Sequence, residues 1–125
     1  TFLRSPDILG RNYALQGQPR IRFAGQLTGV EGYMESAASG MVAAIGLSKA
    51  LRGEAEPDFG GQTVLGALER HVRTPCADFQ PMNANFGILD ALPVRVKGKR
   101  NRYAQLSERA LKALDQIIDQ YELRN

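Results

Sequence analysis

The feature that most constrains this chain is a run of small residues, FAGQLTGVEGYMESAASG, at positions 23–40. Gly25, Gly29 and Gly32 stand where a strand is predicted to lead into a helix, although glycine disfavours helices. A strand that ends in a glycine turn before a helix places bare backbone and outward-pointing amides, here those of residues 29–32, where an anion or a cofactor can bind. Close packing of a helix on a sheet explains the same composition, and the run is not the G-x-G-x-x-G fingerprint of dinucleotide-binding turns. The residues alone leave both interpretations open.

The residues around this run predict a strand followed by a long helix. The segment IRFAG, which begins at Ile21, is expected to form a buried strand with Ile21 and Phe23 on one face. A helix is expected over about residues 30–51. Thr28 is predicted to be its N-cap, and Glu31, three residues later, completes the pattern of a capping box.

The remaining residues predict a mainly helical second half. Gly53 is expected to end the long helix, and residues 53–62 are expected to form a polar loop. Apolar spacing predicts a short helix over residues 63–72 and an amphipathic helix over residues 103–121 that packs on the rest of the fold. The segment between them, residues 73–102, is broken by prolines and glycine and is predicted to be irregular. We therefore expect an α/β fold of short strands and a glycine-turn-helix, followed by a mainly helical region.

Length and composition limit the class of protein. The 125 residues suffice for one modest domain, and 43% hydrophobic with 23% charged residues is typical of a globular protein. No segment is long and apolar enough to cross a membrane, and we expect a cytoplasmic protein with no membrane partner. The single cysteine, Cys76, excludes an internal disulfide and offers no metal cluster. Because the chain begins at Thr1 and not at Met, we expect a fragment or a processed form.

A basic run near the last predicted helix is a candidate contact for a phosphate backbone. It carries five positive charges within eight residues and no acid: Arg95, Lys97, Lys99, Arg100 and Arg102. Such a cluster attracts nucleic acid, although composition alone favours a solvated basic loop.

Five other residues have a functional and a structural interpretation. Asn83, Asn85 and Phe86, in MNANFG, could stack on and hydrogen-bond a base, or the asparagines could cap turns. His71, next to arginines on the short helix, could contact RNA, but a structural histidine is the simpler interpretation. Cys76 has no basic neighbour in sequence that would activate it, so a nucleophilic role is not expected.

Four segments together resemble one family of enzymes. They are TFLRSPDIL at residues 1–9, FAGQLTGVEGYMESAASGMVAAIGLSKALRG at 23–53, FQPMNANFGIL at 79–89 and RYAQLSERAL at 102–111. In collinear order they resemble the closing part of the folate- and FAD-dependent tRNA (uracil-5) methyltransferases, a group related to the glucose-inhibited division proteins. The resemblance runs through nearly all of the chain.

The resemblance implies a flavoprotein that methylates uridine C5 in the T-loop of tRNA. Methylenetetrahydrofolate would supply the carbon, with reduced FAD and NAD(P)H for the reduction. The implied cofactor-binding residues are Gly25, Gln26, Thr28, Gly29, Val30 and Glu31. The implied RNA-binding residues are Arg95, Lys97, Lys99, Arg100, Arg102, Asn83, Asn85 and Phe86. For the basic run, the resemblance therefore favours a phosphate contact over a solvated loop.

The departures from the family pattern limit what this chain does by itself. The family's N-terminal glycine-rich dinucleotide turn and its cysteine-bearing segments do not occur here, so no catalytic residue is expected. Residues 1–53 are expected to close an FAD-binding domain whose other walls lie elsewhere, and residues 54–125 to form a tRNA-facing extension. Two alternatives stay open: a fragment of the related flavoprotein that modifies the wobble uridine with an aminomethyl-type group, or a stand-alone RNA-binding module.

Overall fold

The computed structural model describes residues 2–123 and shows a small α/β fold with a mainly helical second half. Its regular elements in chain order are α1 (Ser5–Ile8), β1 (Ala14–Leu15), β2 (Gln18–Arg22), α2 (Tyr33–Leu51), α3 (Val64–Arg73) and α4 (Lys99–Gln120). Short 3-10 turns occupy Arg11–Tyr13, Gln26–Thr28 and Phe86–Ile88. The expected fold class is confirmed. No helix among these residues is long and apolar enough to cross a membrane.

The sheet is a single antiparallel hairpin. β1 pairs with β2 around a turn at Gly17, whose φ of 84° lies in the left-handed region that glycine tolerates. A strand is therefore present where one was predicted, but the prediction that it is buried was wrong. Ile21 is 47% exposed, and Phe23 lies beyond the strand, half-buried against the core. Within the described part of the chain β2 pairs only with β1, so much of its surface faces solvent.

Helix α2 begins at Tyr33, three residues later than predicted, and the capping box is not formed. The residue before the helix is Gly32, at a φ of 113°, with no side-chain cap. Thr28 ends a 3-10 turn, in which its hydroxyl and its amide both donate to the carbonyl of Gly25. Left-handed conformations at Gly29 and Gly32 interrupt the backbone, so a helix cannot run through residues 29–32.

The other helix boundaries agree more closely with the sequence. Leu51 ends α2, and Gly53 follows with a φ of 73° and an amide that donates to Ala50. Helix α3 covers nearly all of the predicted range, with Thr63 as its N-cap. Helix α4, in contrast, begins at Lys99, before the predicted start at 103, and therefore contains the second half of the basic run.

The hydrophobic core has two parts. The larger part joins α2, α3 and the segments around the hairpin through nine buried residues: Leu9, Tyr13, Val30, Val42, Ala43, Phe59, Leu68, Val72 and Phe79. The smaller part joins α3, the 86–89 turn and α4 through Ala67, Leu89 and Leu106. Leu114 and Ile117 on α4 pack against the larger part, so the last helix spans both.

A buried ion pair ties the hairpin to the loop after α2. The side chain of Arg22 is only 4% exposed, and its Nη1 lies 2.6 Å from Oε1 of Glu56. The side-chain amide of Asn12 donates to the same carboxylate at 3.2 Å and to the carbonyl of Pro57 at 3.0 Å. Partial burial opposes ionisation of Glu56, but the hydrogen bonds from Arg22 and Asn12 hold its pKa below its usual range.

Candidate functional site: a cleft at the start of α2 and a basic segment

A cleft opens where the glycine-rich segment enters α2. It has a volume of about 690 Å³ and is lined by Gln26, Glu31, Gly32, Tyr33, Ser36 and Asn83. Gln26 and Glu31 are two of the residues for which the resemblance implies a cofactor contact. The others place amide, hydroxyl and phenol groups around the same space, which can both donate and accept hydrogen bonds.

Gly25 lies at the beginning of the turn beside this cleft, in a conformation that only glycine adopts easily. Its φ is 83°, and a Cβ at this position would meet no atom within 4 Å. The amide donates to the hydroxyl of Ser39 at 2.8 Å, which joins the turn to α2. The surface at Gly25 is therefore open backbone, held in place by the helix that follows.

Thr28, Gly29 and Val30 face the protein interior and not the cleft. All three are buried, and the side chains of Thr28 and Val30 are fully so. A Cβ on Gly29 would lie 2.6 Å from Cε2 of Phe79, so this glycine is small because the phenyl ring packs on it. These three residues support the cleft from behind.

The expectation that the amides of residues 29–32 point outward is wrong for two of them. The Gly29 amide donates to the carbonyl of Gln26, and the Glu31 amide donates to the carbonyl of Met82. The second bond belongs to a short parallel bridge in which the Met82 amide also donates to Gly29. Met82 thus forms hydrogen bonds with backbone groups of the 29–32 segment, where the sequence analysis expected amides that face a ligand.

A carboxylate lies at the positive end of α2. Glu35, in the first turn, accepts a hydrogen bond from the Ala84 amide at 2.9 Å. That bond, followed by one from its own amide, holds the pKa of Glu35 below its usual range. Because a fixed negative charge already lies at the helix dipole, the cleft suits a hydrogen-bonding ring better than a phosphate.

Two large, exposed side chains at the start of α2, of which Tyr33 lines the cleft, were not singled out as functional from the sequence. Tyr33 is 97% exposed and Met34 is 80% exposed, although both are next to the glycine turn. Exposed apolar groups of this size beside a cleft are typical of a surface that another molecule or segment covers. The signal in the sequence was the pair YM directly after Gly32, at the first helical positions.

The basic run lies half in a loop and half on α4. Arg95 and Lys97 precede the helix, whereas Lys99, Arg100 and Arg102 occupy its first turn, and all five are exposed. No ion pair among residues 2–123 involves any of them. Cations at the positive end of a helix are electrostatically unfavourable, so the helix dipole does not stabilise the charges of Lys99, Arg100 and Arg102, and they are available to an anion.

The three candidate RNA-binding residues of the MNANFG segment, Asn83, Asn85 and Phe86, have different surroundings in the structure. The Asn83 side chain donates to the carbonyl of Glu31 at 2.7 Å and lines the cleft. Asn85 caps a turn, because its side chain accepts from the Gly87 amide at 2.8 Å and donates to the carbonyl of Asn83 at 3.1 Å. Phe86 stacks on Tyr103 of α4, with ring centroids 4.4 Å apart. Phe86 therefore adjoins the basic run.

His71 and Cys76 have surroundings that fit the simpler interpretations. The His71 ring stacks on Phe79 at a centroid distance of 5.0 Å, and its Nε2 lies 2.9 Å from the carbonyl of Gln80. Those contacts hold residues 79–81 against α3. Cys76 is exposed and free.

Comparison with known proteins gives one consistent result. Residues 1–55 match the family model described as glucose inhibited division protein A. Three curated relatives, each named methylenetetrahydrofolate--tRNA-(uracil-5-)-methyltransferase TrmFO, come from Staphylococcus aureus strains Newman, N315 and MW2. Each is 48% identical over 117 residues, which cover 92% of this chain and 27% of the relative. The chain thus spans about a quarter of the length of the curated relatives that it matches.

Proposed function

The chain belongs to the family of the TrmFO-type tRNA (uracil-5) methyltransferases, and from that premise we propose that it supplies one wall of their flavin site together with a tRNA-facing extension. The parent protein would methylate uridine C5 in tRNA with methylenetetrahydrofolate as the carbon source. FAD and NAD(P)H would serve the reduction. The observation that carries the proposal is the cleft at the start of α2. Its wall combines hydrogen-bonding side chains with the exposed aromatic side chain of Tyr33, and the open backbone of Gly25 directly precedes the lining residue Gln26.

The residues of this wall fit the ring of a flavin and not its pyrophosphate. The open backbone at Gly25 allows a flat ring to approach closely, and Gln26 and Ser36 can hydrogen-bond its polar edge. Tyr33 offers an exposed aromatic side chain that would exclude water from one side. Glu31 and Glu35 make this end of α2 unsuitable for a phosphate. A bound flavin supplies two-electron chemistry, whereas these residues bind and orient it.

A matched pair of glycine substitutions tests this wall. The test protein is a chimera, a TrmFO of Staphylococcus aureus in which the matching 27% of the chain is replaced by this sequence. Gly25→Val places a branched side chain in the open space beside the cleft, and we expect the purified protein to lose bound flavin, measured by absorbance near the flavin band per mole of protein. Gly17→Val is the control, because Gly17 has nearly the same φ, 84° against 83°, equally open space and a place in the distant hairpin turn. Equal flavin content in the two variants would contradict the proposal.

The chain by itself should not hold FAD tightly. If only one wall of the site is present, titration of the isolated chain with FAD should leave the flavin fluorescence nearly unchanged at micromolar concentrations. Stoichiometric quenching would show instead that the site is self-contained, and the assignment of a single wall would then be wrong.

The proposed tRNA contact is tested on the isolated chain. The triple variant Lys97→Ala, Lys99→Ala, Arg100→Ala should weaken tRNA binding and flatten its salt dependence, by roughly one unit of slope for each phosphate that is no longer neutralised. The control is Lys112→Ala, Arg52→Ala, Arg20→Ala, which removes the same charge from exposed positions elsewhere. If the two triple variants bind tRNA alike, the basic run does not bind the tRNA backbone.

A further inference from the structure

A second pocket lies between the irregular segment 86–96 and the first half of α4. Its volume is about 380 Å³, within the range of pockets that hold small ligands. Most of its lining is apolar and includes Phe86, Leu92, Val94, Val96, Tyr103 and Leu106. It shares no lining residue with the cleft, and neither the proposed flavin wall nor the packing of α4 requires an open space here.

The walls of this pocket are held in place by specific contacts. The guanidinium of Arg109, on α4, donates to the carbonyl of Ala91 at 3.1 Å and to the carbonyl of Asp90. The Asp90 amide donates to Gly61 at 2.9 Å, and its carboxylate lies 3.3 Å from Nη1 of Arg70 on α3. Helices α3 and α4 thus hold the segment from two sides. A pocket fixed in this way loses little entropy when a ligand enters.

The charges at the pocket are mostly positive. Arg95 and Arg102 line it, whereas the carboxylate of Asp90, its one acidic lining residue, is paired with Arg70. Lys99 Nζ lies 5.4 Å and Arg102 Cζ 5.6 Å from the centre of the Tyr103 ring, close enough for cation–π interactions. The lining therefore suits a ligand that combines an uncharged flat ring with a negative group outside it.

We propose that this pocket binds one unpaired nucleobase of RNA, with the adjoining phosphate held by Arg95 and Arg102. The proposal rests on the proposed tRNA contact and goes further, since it assigns the basic segment to a single-stranded nucleotide and not to a duplex. Bases in a duplex are stacked and cannot enter an apolar pocket, whereas unpaired bases are recognised on aromatic surfaces. An apolar peptide would fill the same space, but it would leave the two arginines without a partner.

Nucleotide titrations followed by methyl NMR test the pocket directly. We expect uridine or adenosine monophosphate to shift the methyl signals of Leu92, Val94 and Val96 in a saturable way. Inorganic phosphate should not shift these methyls, and the uncharged nucleoside should bind more weakly than its monophosphate. Arg95→Gln should reduce that difference between nucleotide and nucleoside, because Arg102 alone then faces the phosphate. Shifts produced by an acidic apolar peptide and by none of the nucleotides would overturn the proposal.

A pocket-filling variant separates this inference from the general tRNA contact. Ala91→Trp puts an indole on the lining without changing any charge, and Ala77→Trp makes the same change at an exposed loop position outside the pocket. We expect Ala91→Trp to bind a 12-nucleotide unpaired RNA roughly fivefold more weakly or worse, the loss expected for one stacked base, and to bind a fully paired duplex as the parent does. Ala77→Trp should bind both as the parent does.

The outcomes distinguish the two proposals. If Ala91→Trp and its control bind unpaired RNA equally, with both variants folded by circular dichroism, the pocket does not hold a base, while salt-dependent binding through the basic run can still stand. If the parent chain binds neither RNA, the tRNA contact itself fails. The monophosphate titration then still decides whether the pocket takes a nucleotide.

Discussion

At the scale of single residues, the glycines of the 25–32 segment are small for three different reasons. Gly25 has a positive φ and open space beside it, whereas Gly29 also has a positive φ but lies against Phe79. A Cβ on Gly32 would lie 2.5 Å from the carboxylate of Glu35. One sequence pattern therefore combines a surface position, a packing position and a helix start. Gly25 has open space beside it and Gly32 lines the cleft, whereas Gly29 leaves no space for a ligand.

Replacement of Gly29 tests the packing position. We expect Gly29→Ala to lower the free energy of unfolding by roughly 2–4 kcal/mol, because overpacking against Phe79 adds to the strain of a non-glycine residue at positive φ. Gly17→Ala, at an open hairpin position, should cost only about 1–2 kcal/mol. Urea unfolding measures both. In a double-mutant cycle with Phe79→Ala the two costs should be less than additive, and strict additivity would show that the ring is not the obstacle.

The Arg22–Glu56 pair predicts a pH dependence of stability. Since the folded-state pKa of Glu56 is lowered, its stabilising contribution is present above the unfolded pKa and is lost as pH falls through the folded pKa. Glu56→Gln should therefore destabilise the chain at pH 7, by roughly 2 kcal/mol or more, because buried Arg22 loses its partner. The difference from the parent should vanish in acid, below the lowered pKa. Glu108→Gln, which removes an exposed pair with Lys112 at 3.7 Å, should change stability by less than about 0.5 kcal/mol at any pH.

At the scale of elements, the sequence was informative where the signal was local. The start of α3 at Thr63 and the stop of α2 at Gly53 depend on neighbouring residues, and both were predictable. The start of α2 was not, because the Glu31 amide pairs with the carbonyl of Met82, far along the chain. The cleft follows the same rule. The cofactor contact of Gln26 and Glu31 stays a prediction, although both line the cleft. Asn83 was named as an RNA-binding residue, since no local pattern brings it to the carbonyl of Glu31, 52 positions away.

The cap of α3 gives a prediction at this scale. The Thr63 hydroxyl accepts from the Gly66 amide at 3.1 Å and donates to the carbonyl of Phe59 at 2.7 Å, so it joins the loop to the helix while buried. Thr63→Ala should lower the free energy of unfolding by about 1–2 kcal/mol, and Thr63→Ser should restore most of it. Thr74→Ala, at the exposed far end of α3, is the control. A Thr63→Ser variant as unstable as Thr63→Ala would indicate that the missing methyl group, and not the cap, is responsible.

At the scale of the whole molecule, the two proposed sites depend on one irregular segment. Residues 79–92 begin at Phe79, which packs on Gly29 behind the proposed flavin wall, and continue through Asn83, which lines the cleft. They end at Leu89 and Leu92, which form the pocket beside the basic run. The predicted division at residue 53 is an interpretation of sequence alone, whereas this segment gives a physical connection across it. The position of these residues is therefore one route by which a ligand at one site can affect the other.

Truncation of Leu106 should weaken the packing of residues 86–92 against α4. Leu106 is 6% exposed and belongs to the smaller part of the core, so Leu106→Ala should cost about 2–3 kcal/mol there. Hydrogen exchange should then become faster in residues 86–106, while amides of α2 that pack on the larger part, such as those around Val42, stay protected. Leu111→Ala, at a position 63% exposed on the same helix, should leave both regions unchanged. Equal loss of protection in both regions would show that the two parts of the core unfold as one unit, and the proposed flavin wall would then depend directly on the docking of α4.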